Sequence, residues 1–490
     1  MNRTARHVLV AFAGALALAP LATRAAEPLV TVAPIVTACE RPGITGAGWA
    51  VAYEVTEGAK TDRRIALIYP NHPDDWGKTA GTGFSYSSDG GRTWAAGADN
   101  WPIPGVVDMW QDWLRHGELI TFGIRSVPDR KKVLEAATDG ALHGDCVVGI
   151  SKDRGKTWQA EPAGIHCPSE IGVIARPLPH IFEDAHGTMF MPAYSWSKAG
   201  NRALLLKSAD RGRNWNVAST IATAQAIAAC GAPLTAPWLE TAVARTADGS
   251  LLAVVRTGSG AQSALVTARS TDNGVTWSPV EKLLAGPERR IVAGKLPNLC
   301  LLPGGALVLL TAHSRNHCRI HVSPDGAGRQ WSEAFVITSQ SGGNTSMVGV
   351  GPDKLLVFTP ANGRINSWEV TITAPHAAAA KGAAASPTDV RVASSGAAVR
   401  LSWSAPAGAG ETDHYLVTPV FIRPSEANPE TEVCRYASIK TRDAATQLDL
   451  GRVLSLGGTY RFEVAAVDRE GRRSAAASCA EMVVGPKPEK

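Results

Sequence analysis

The chain has 490 residues, 44% of them hydrophobic and 19% charged, with a formal net charge of +5. One core does not suffice at that length, so two or three domains are expected. The near-balance of charge gives no reason to expect a nucleic-acid partner, and any basic preference must be local.

The opening, MNRTARHVLVAFAGALALAPLATRAAEP, has Arg3 and Arg6 in a basic head, an apolar run from Val8 to Leu18, and small residues up to Ala26. This reads as a secretory signal over residues 1–26, which predicts a periplasmic or secreted protein. No later apolar run approaches the ~18 residues of a membrane span.

Residues 27–373 carry a repeat. The pattern Ser-x-Asp-x-Gly-x-Thr-Trp appears as SSDGGRTW from Ser87, SKDRGKTW from Ser151, SADRGRNW from Ser208, STDNGVTW from Ser270 and, with one insertion, SPDGAGRQW from Ser323. The copies start roughly 50 to 65 residues apart, the length of a supersecondary unit. The Asp is suited to accept bonds from the backbone ahead of it, and the Gly to adopt positive φ. Short β-like runs surround each copy, as in Glu240–Thr246 and Ser250–Thr257 joined at Asp248-Gly249. Four short antiparallel strands per repeat make a propeller blade. The blades are expected at Arg41–Asn100, Val106–Ala160, Arg176–Thr223, Glu240–Leu284, Leu296–Thr338 and a boxless Ser346–Ile372, closed by the extended segment Leu29–Thr37. Two long loops, Tyr69–Gly83 and Ser126–Gly144, are candidates for a pocket rim.

These copies are the Asp-box signature, and the chain resembles the sialidase superfamily of six-bladed β-propellers. The resemblance implies that Asp89, Asp153, Asp210, Asp272 and Asp325 are turn staples, not catalytic groups.

The innermost strands of such a propeller begin around a central depression, which gives Arg41, Asp108, His180, Glu240, Asn298 and Thr345, with Arg256 and Arg315 further along. Converging arginines suit a carboxylate, because each guanidinium is permanently charged and donates in a fork. Asp108, His180, Asn298 and Thr345 are read as pocket-lining. The resemblance implies catalytic roles for Glu240, which activates a nucleophile, and Asp62, the acid/base, and a substrate-binding triad of Arg41, Arg256 and Arg315. It implies neither cofactor nor metal. The family's Tyr nucleophile has no counterpart here: the sixth blade opens GGNTSMVGV, so Thr345 or a neighbour stands there, and Tyr194 is the one other tyrosine considered. Three functions stay open: an exo-glycosidase on sialic acid or a related acidic sugar, a noncatalytic glycan-binding propeller, and another carbohydrate enzyme such as a polysaccharide lyase.

All eight cysteines follow the signal. Cys300 with Cys318 and Cys434 with Cys479 are the expected bridges, each pair lying within one blade or one domain; buried thiols are the alternative for the rest. Ala374–Ser386 is a low-complexity linker. Residues 387–484 read as a β-sandwich resembling a fibronectin type III domain, with Trp403 and Tyr460 as packing residues, and 485–490 are a tail. That module is expected to fold independently and to serve in spacing or attachment to cell-surface glycan.

Overall fold

The computed structural model describes residues 29–485, except 41–48, 58–59, 71–81, 98–102, 107, 126–141, 154, 156, 237, 259–263, 314–316, 340–343, 362, 374–384, 396–397, 408–411, 425–434, 452, 455–456 and 470. It is an all-β protein whose first and larger part is built from six successive antiparallel units. Unit one comprises Trp49–Glu57, Lys60–Pro70, Thr82–Ser87 and Ala95–Ala96, and unit two Asp108–Trp113, Leu119–Ile124, Leu142–Ser151 and Gln159–His166. Unit three opens with Val173–Pro177 and Phe182–Glu183, then runs through Met189–Trp196, Arg202–Ser208 and Asn214–Thr223. Unit four holds Thr241–Arg245, Leu251–Arg256, Leu265–Ser270 and Glu281–Lys282, and unit five Lys295–Leu301, Leu307–His313, His317–Ser323 and Phe335–Thr338. Unit six holds Ser346–Gly349, Lys354–Ala361 and Arg364–Thr373, and takes its outer strand from the start of the described chain, with Leu29 opposite Thr373 and Val32 opposite Val370.

Central strands such as Leu119–Ile124, Met189–Trp196 and Leu251–Arg256 are buried on both faces, so each unit packs against the units before and after it. Ile68 and Phe84 of unit one pack with Met109 and Leu119 of unit two. Comparable clusters join units two and three, three and four, and four and five. Ile65 and Tyr69 of unit one pack with Leu356 and Phe358 of unit six, which closes the ring. Closure removes the unpaired edges an open sheet would present.

Each Asp box lies between the third and fourth strands of its unit. In the first, Ser87 Oγ donates to Asp89 Oδ1 at 2.8 Å, the backbone N–H of Thr93 donates to the same oxygen at 2.9 Å, and Thr93 Oγ1 donates to Oδ2 at 2.6 Å. Asn214 replaces Thr in the third box and donates from Nδ2 to Asp210 at 2.6 Å, so an amide does the work of the hydroxyl. The hydrogen bonds from Thr157 and Thr276 hold Asp153 and Asp272 at about 2. Gly274 needs its positive φ of 84°, and a Cβ there would meet Leu205 Cδ2 at 2.4 Å. The boxes also clasp successive units. Arg211 pairs with Glu118, Asn273 Nδ2 donates to Asp184 at 3.2 Å, and Arg329 donates to Asp248 at 2.8 Å, in each case reaching the first hairpin turn of the preceding unit.

The C-terminal part packs the sheet Thr388–Ser395, Ala398–Ser404 and Gln447–Asp449 over a second sheet centred on Thr412–Pro424 and Gly458–Asp468. Trp403 meets Tyr415 edge-on at 5.2 Å between centroids, and Tyr460 is fully buried. The expected independence of this module is corrected by the structure. One short stretch pairs with two propeller units at once: Arg435–Tyr436 runs parallel to Phe335–Val336 of unit five, and Ser438–Ile439 runs parallel to Thr31–Val32. Ser339 donates from its N–H and its hydroxyl to the Val453 carbonyl at 3.1 and 3.0 Å. A single apolar cluster then runs from Val308 and Trp368 through to Trp403 and Phe462. The linker's composition carried no sign of this, because the contact is made elsewhere in the chain.

A second expectation fails on geometry. Cys300 and Cys318 are free thiols. They lie opposite Val308 and Ala312 of the intervening strand, four residues apart along it. At ~3.3 Å per residue that offset is about 13 Å, well beyond disulfide reach. Burial pushes the Cys300 thiol up to about 11. Cys434 lies outside the described residues.

Candidate functional site

The site begins with a hairpin. Thr241 stands opposite Val255, and one step further the Arg256 N–H donates to the Glu240 carbonyl at 2.8 Å. Glu240 and Arg256 are therefore direct cross-strand neighbours, whose side chains meet on one face of the sheet. Arg256 Nη1 donates to Glu240 Oε2 at 2.6 Å, with the two residues only 6% and 7% exposed. Two charges so deeply buried are tolerated only when their remaining bonding capacity is used. Arg256 Nε donates to the Gly258 carbonyl at 2.6 Å, and the Leu296 N–H of unit five donates to Glu240 Oε2 at 3.1 Å.

From Leu296 the network continues around the ring. Asn298 Nδ2 donates to the Leu296 carbonyl at 3.0 Å and to the Thr345 carbonyl, at the start of unit six, at 3.2 Å. Four sequence candidates, Glu240, Arg256, Asn298 and Thr345, thus form one chain of contacts across three units. Thr345 is fully buried, and its hydroxyl has no hydrogen-bond partner among the described residues. The position where the resemblance places a nucleophile carries an enclosed hydroxyl, a weak nucleophile without an activating base.

Over this pair sits a residue that sequence reading missed. Trp238 is 40% exposed, and the Arg256 guanidinium lies 5.2 Å from its ring centroid. The pattern Trp238-Leu239-Glu240, exposed then buried then buried, puts an aromatic face in solvent immediately beside a buried ion pair. The signal was in the sequence, an aromatic two residues ahead of Glu240, but tryptophan is more often a packing residue. Arg176 was missed as well. It is buried in the first strand of unit three, in register with the buried Tyr194.

Of the remaining candidates, only His180 is described with its side chain. His180 belongs to the junction of units two and three: its Nδ1 lies 3.1 Å from Asp112 Oδ1, and the Ile181 N–H donates to Asp112 Oδ2 at 2.7 Å. Burial opposes the charged imidazole, but the Asp112 carboxylate outweighs it and raises the His180 pKa. Asp112 is thus the carboxylate that meets His180. Asp108 opens the same strand opposite Ile124, and Asp62 lies opposite Val55; their side chains are outside the described residues. Arg41 and Arg315 also lie outside the described residues. Among the described residues no His/Cys/Asp/Glu cluster could hold a metal ion, and no helix is long and apolar enough to cross a membrane.

Six antiparallel units closed in a ring, five of them stapled by an Asp box, define a box-repeat β-propeller. Residues 135–409, more than half of the chain, match the BNR repeat-like domain, and the chain belongs to that family. No curated protein matches the chain. Among solved structures it is similar to a Hadza microbial sialidase at 17% identity and TM-score 0.47, covering 67% of this chain and 66%, just under two thirds, of that one. It is similar also to the Penicillium chrysogenum alpha-L-arabinanase complexed with arabinobiose, at 14% identity and TM-score 0.47, covering 71% and 99% of the two chains. Trypanosoma rangeli sialidase in complex with sialic acid aligns at 11% identity and TM-score 0.43 over 94% of each.

Proposed function

We propose that this is an exported, sialidase-like carbohydrate-active protein whose propeller centre binds an acidic sugar and hydrolyses its glycosidic bond. One observation carries the reading: an exposed tryptophan stacked on a buried arginine that is ion-paired to a buried glutamate. Each part has a use for a sugar acid. The indole offers an apolar face to ring C–H groups, the guanidinium is a forked donor to carboxylate, and Glu240 is a carboxylate able to move a proton. Asp62 is the proposed acid/base, with Arg41 and Arg315 as further carboxylate ligands.

A second reading, glycan binding without turnover, is favoured by a separate observation. Glu240 Oε2 is already held by Arg256 and the Leu296 N–H, and the enclosed Thr345 hydroxyl is a poor nucleophile. The deciding assay is release of a fluorophore from a sialoside by the exported protein, with Glu240→Gln and Trp238→Ala alongside. Turnover abolished by Glu240→Gln in a folded protein supports the hydrolase. Saturable sialoside binding, weakened by Trp238→Ala and without turnover, supports the binder. Absence of both excludes an acidic-sugar centre.

A further inference from the structure

A well-formed cavity lies away from the Glu240–Arg256 pair. It lies in the seam between the propeller and the C-terminal sandwich and encloses roughly 460 Å³. Its floor is set by the double strand pairing described above. Arg435 is the register partner of Phe335 on the propeller side and of Val420 on the sandwich side, and its guanidinium lies over the Phe335 ring at 5.3 Å. Beside this strap the walls of the two bodies leave the cavity between them.

The walls have a definite chemistry. From unit five come Arg319, only 4% exposed, and Glu333; from the sandwich come Arg435, Thr418, Pro419 and Phe421. Arg319 alternates with His317 and His321 along one strand, all three buried on one side while Cys318, Ile320 and Val322 pack into the apolar core on the other. Guanidiniums therefore line the space from both bodies, those of Arg290 and Arg319 from the propeller and that of Arg435 from the sandwich, with Arg290 paired to Glu288 at 2.6 Å. A fork donor suits a carboxylate. Beside these groups stand the carboxylates of Glu288, Glu333 and Glu463, which can accept from ring hydroxyls, and the Thr418 hydroxyl, which also meets Ser438 Oγ at 2.7 Å, while Pro419 with Phe421 provides an apolar wall. Cation, acceptor and apolar surface in a cavity of this size at a domain junction match a small polyhydroxylated anion.

We propose that the seam is a saccharide-binding site, distinct from the propeller centre, that takes a carboxylated monosaccharide or the end of a chain that carries one. The site rests on the seam geometry and not on the activity proposed for the centre. Its probe is D-glucuronate, titrated calorimetrically into the full chain, with D-glucose as the neutral control. Glucuronate is expected to bind and glucose not. Arg435→Gln, at an exposed position, should weaken glucuronate at least tenfold. Ala334→Phe fills the cavity without removing a side-chain hydrogen bond and should abolish the glucuronate binding that survives Trp238→Ala, the background in which the seam is read apart from the propeller centre. Binding lost in Trp238→Ala but kept in the two seam variants would assign glucuronate to the centre and overturn the proposal. So would equal binding of glucose, or no glucuronate binding by the unaltered protein.

Discussion

The propeller centre and the sandwich seam solve opposite problems. At the centre, Glu240 and Arg256 are brought together by a single hairpin, and each link from there to Thr345 joins units that follow one another in the chain. The result is closed, with the buried charges satisfied by near neighbours. The seam joins segments from the start, the middle and the end of the chain through one short strap, and leaves a cavity beside it. Local geometry makes a tight polar network cheap to specify, whereas long-range docking fixes a few backbone contacts and leaves space around them.

The largest test of that contrast is removal of residues 387–490. If the seam is structural, the truncated propeller loses the strand partners of Phe335–Val336 and Thr31–Val32 and exposes apolar surface from the shared cluster. It should then be insoluble or unfold well below the full chain in a thermal scan. A truncated protein with an unshifted midpoint would mean that the strap contributes nothing.

Next in size is the centre. Arg256→Met leaves the Glu240 carboxylate buried without its partner and should cost about 3–5 kcal/mol in urea unfolding. The double change Glu240→Met with Arg256→Met should recover most of this, because the desolvated charges leave together. A double variant as unstable as the single one would refute the ion-pair account. Trp238→Ala should change stability by no more than about 1 kcal/mol, the range of an exposed cation–π contact, so any larger effect on sugar binding reports contact with the ligand.

The smallest expected effect is in pH. His180 is raised in the folded state, so its pair with Asp112 contributes stability that is fully present below the unfolded histidine value of about 6.5. That stability is lost as pH rises through the folded value. Asp112→Asn should lower the urea midpoint more at pH 5.5 than at pH 8.5. Equal losses at both would show that the Ile181 N–H bond, not the charge, carries the contribution.

What could be read from the sequence follows the same division. The boxes, the hairpin turns and the Glu240–Arg256 neighbourhood were legible because each is encoded within one unit. The Ala-rich linker suggested two independent bodies, since nothing in residues 374–386 reveals that residues 435–440 pair with strands hundreds of positions earlier. Cys300 and Cys318 share a blade, yet the strand offset that separates them appears only with the register. Asp112 was passed over for Asp108 because both occur on the same strand face four residues apart, and only the packing of unit three selects between them. Thr345 stands immediately before the first strand of unit six, but its burial beside Asn298 is a property of the ring.

The outer strand of unit six comes from Leu29–Val32, whose partners Val370–Thr373 lie about 340 residues further on, so closing that loop carries the largest entropy cost of any pairing in the ring. This makes the latch a matter of timing. Units one to five can form from contacts local to each, while the last unit must wait until both ends are present, and the ring should seal late. Pulse-labelled hydrogen exchange would then find the amides of Leu29–Val32 and Arg364–Thr373 protected after those of units three and four. It would also make the latch the place where the native ring first opens, and simultaneous protection of both regions would show that the ring instead condenses in one step.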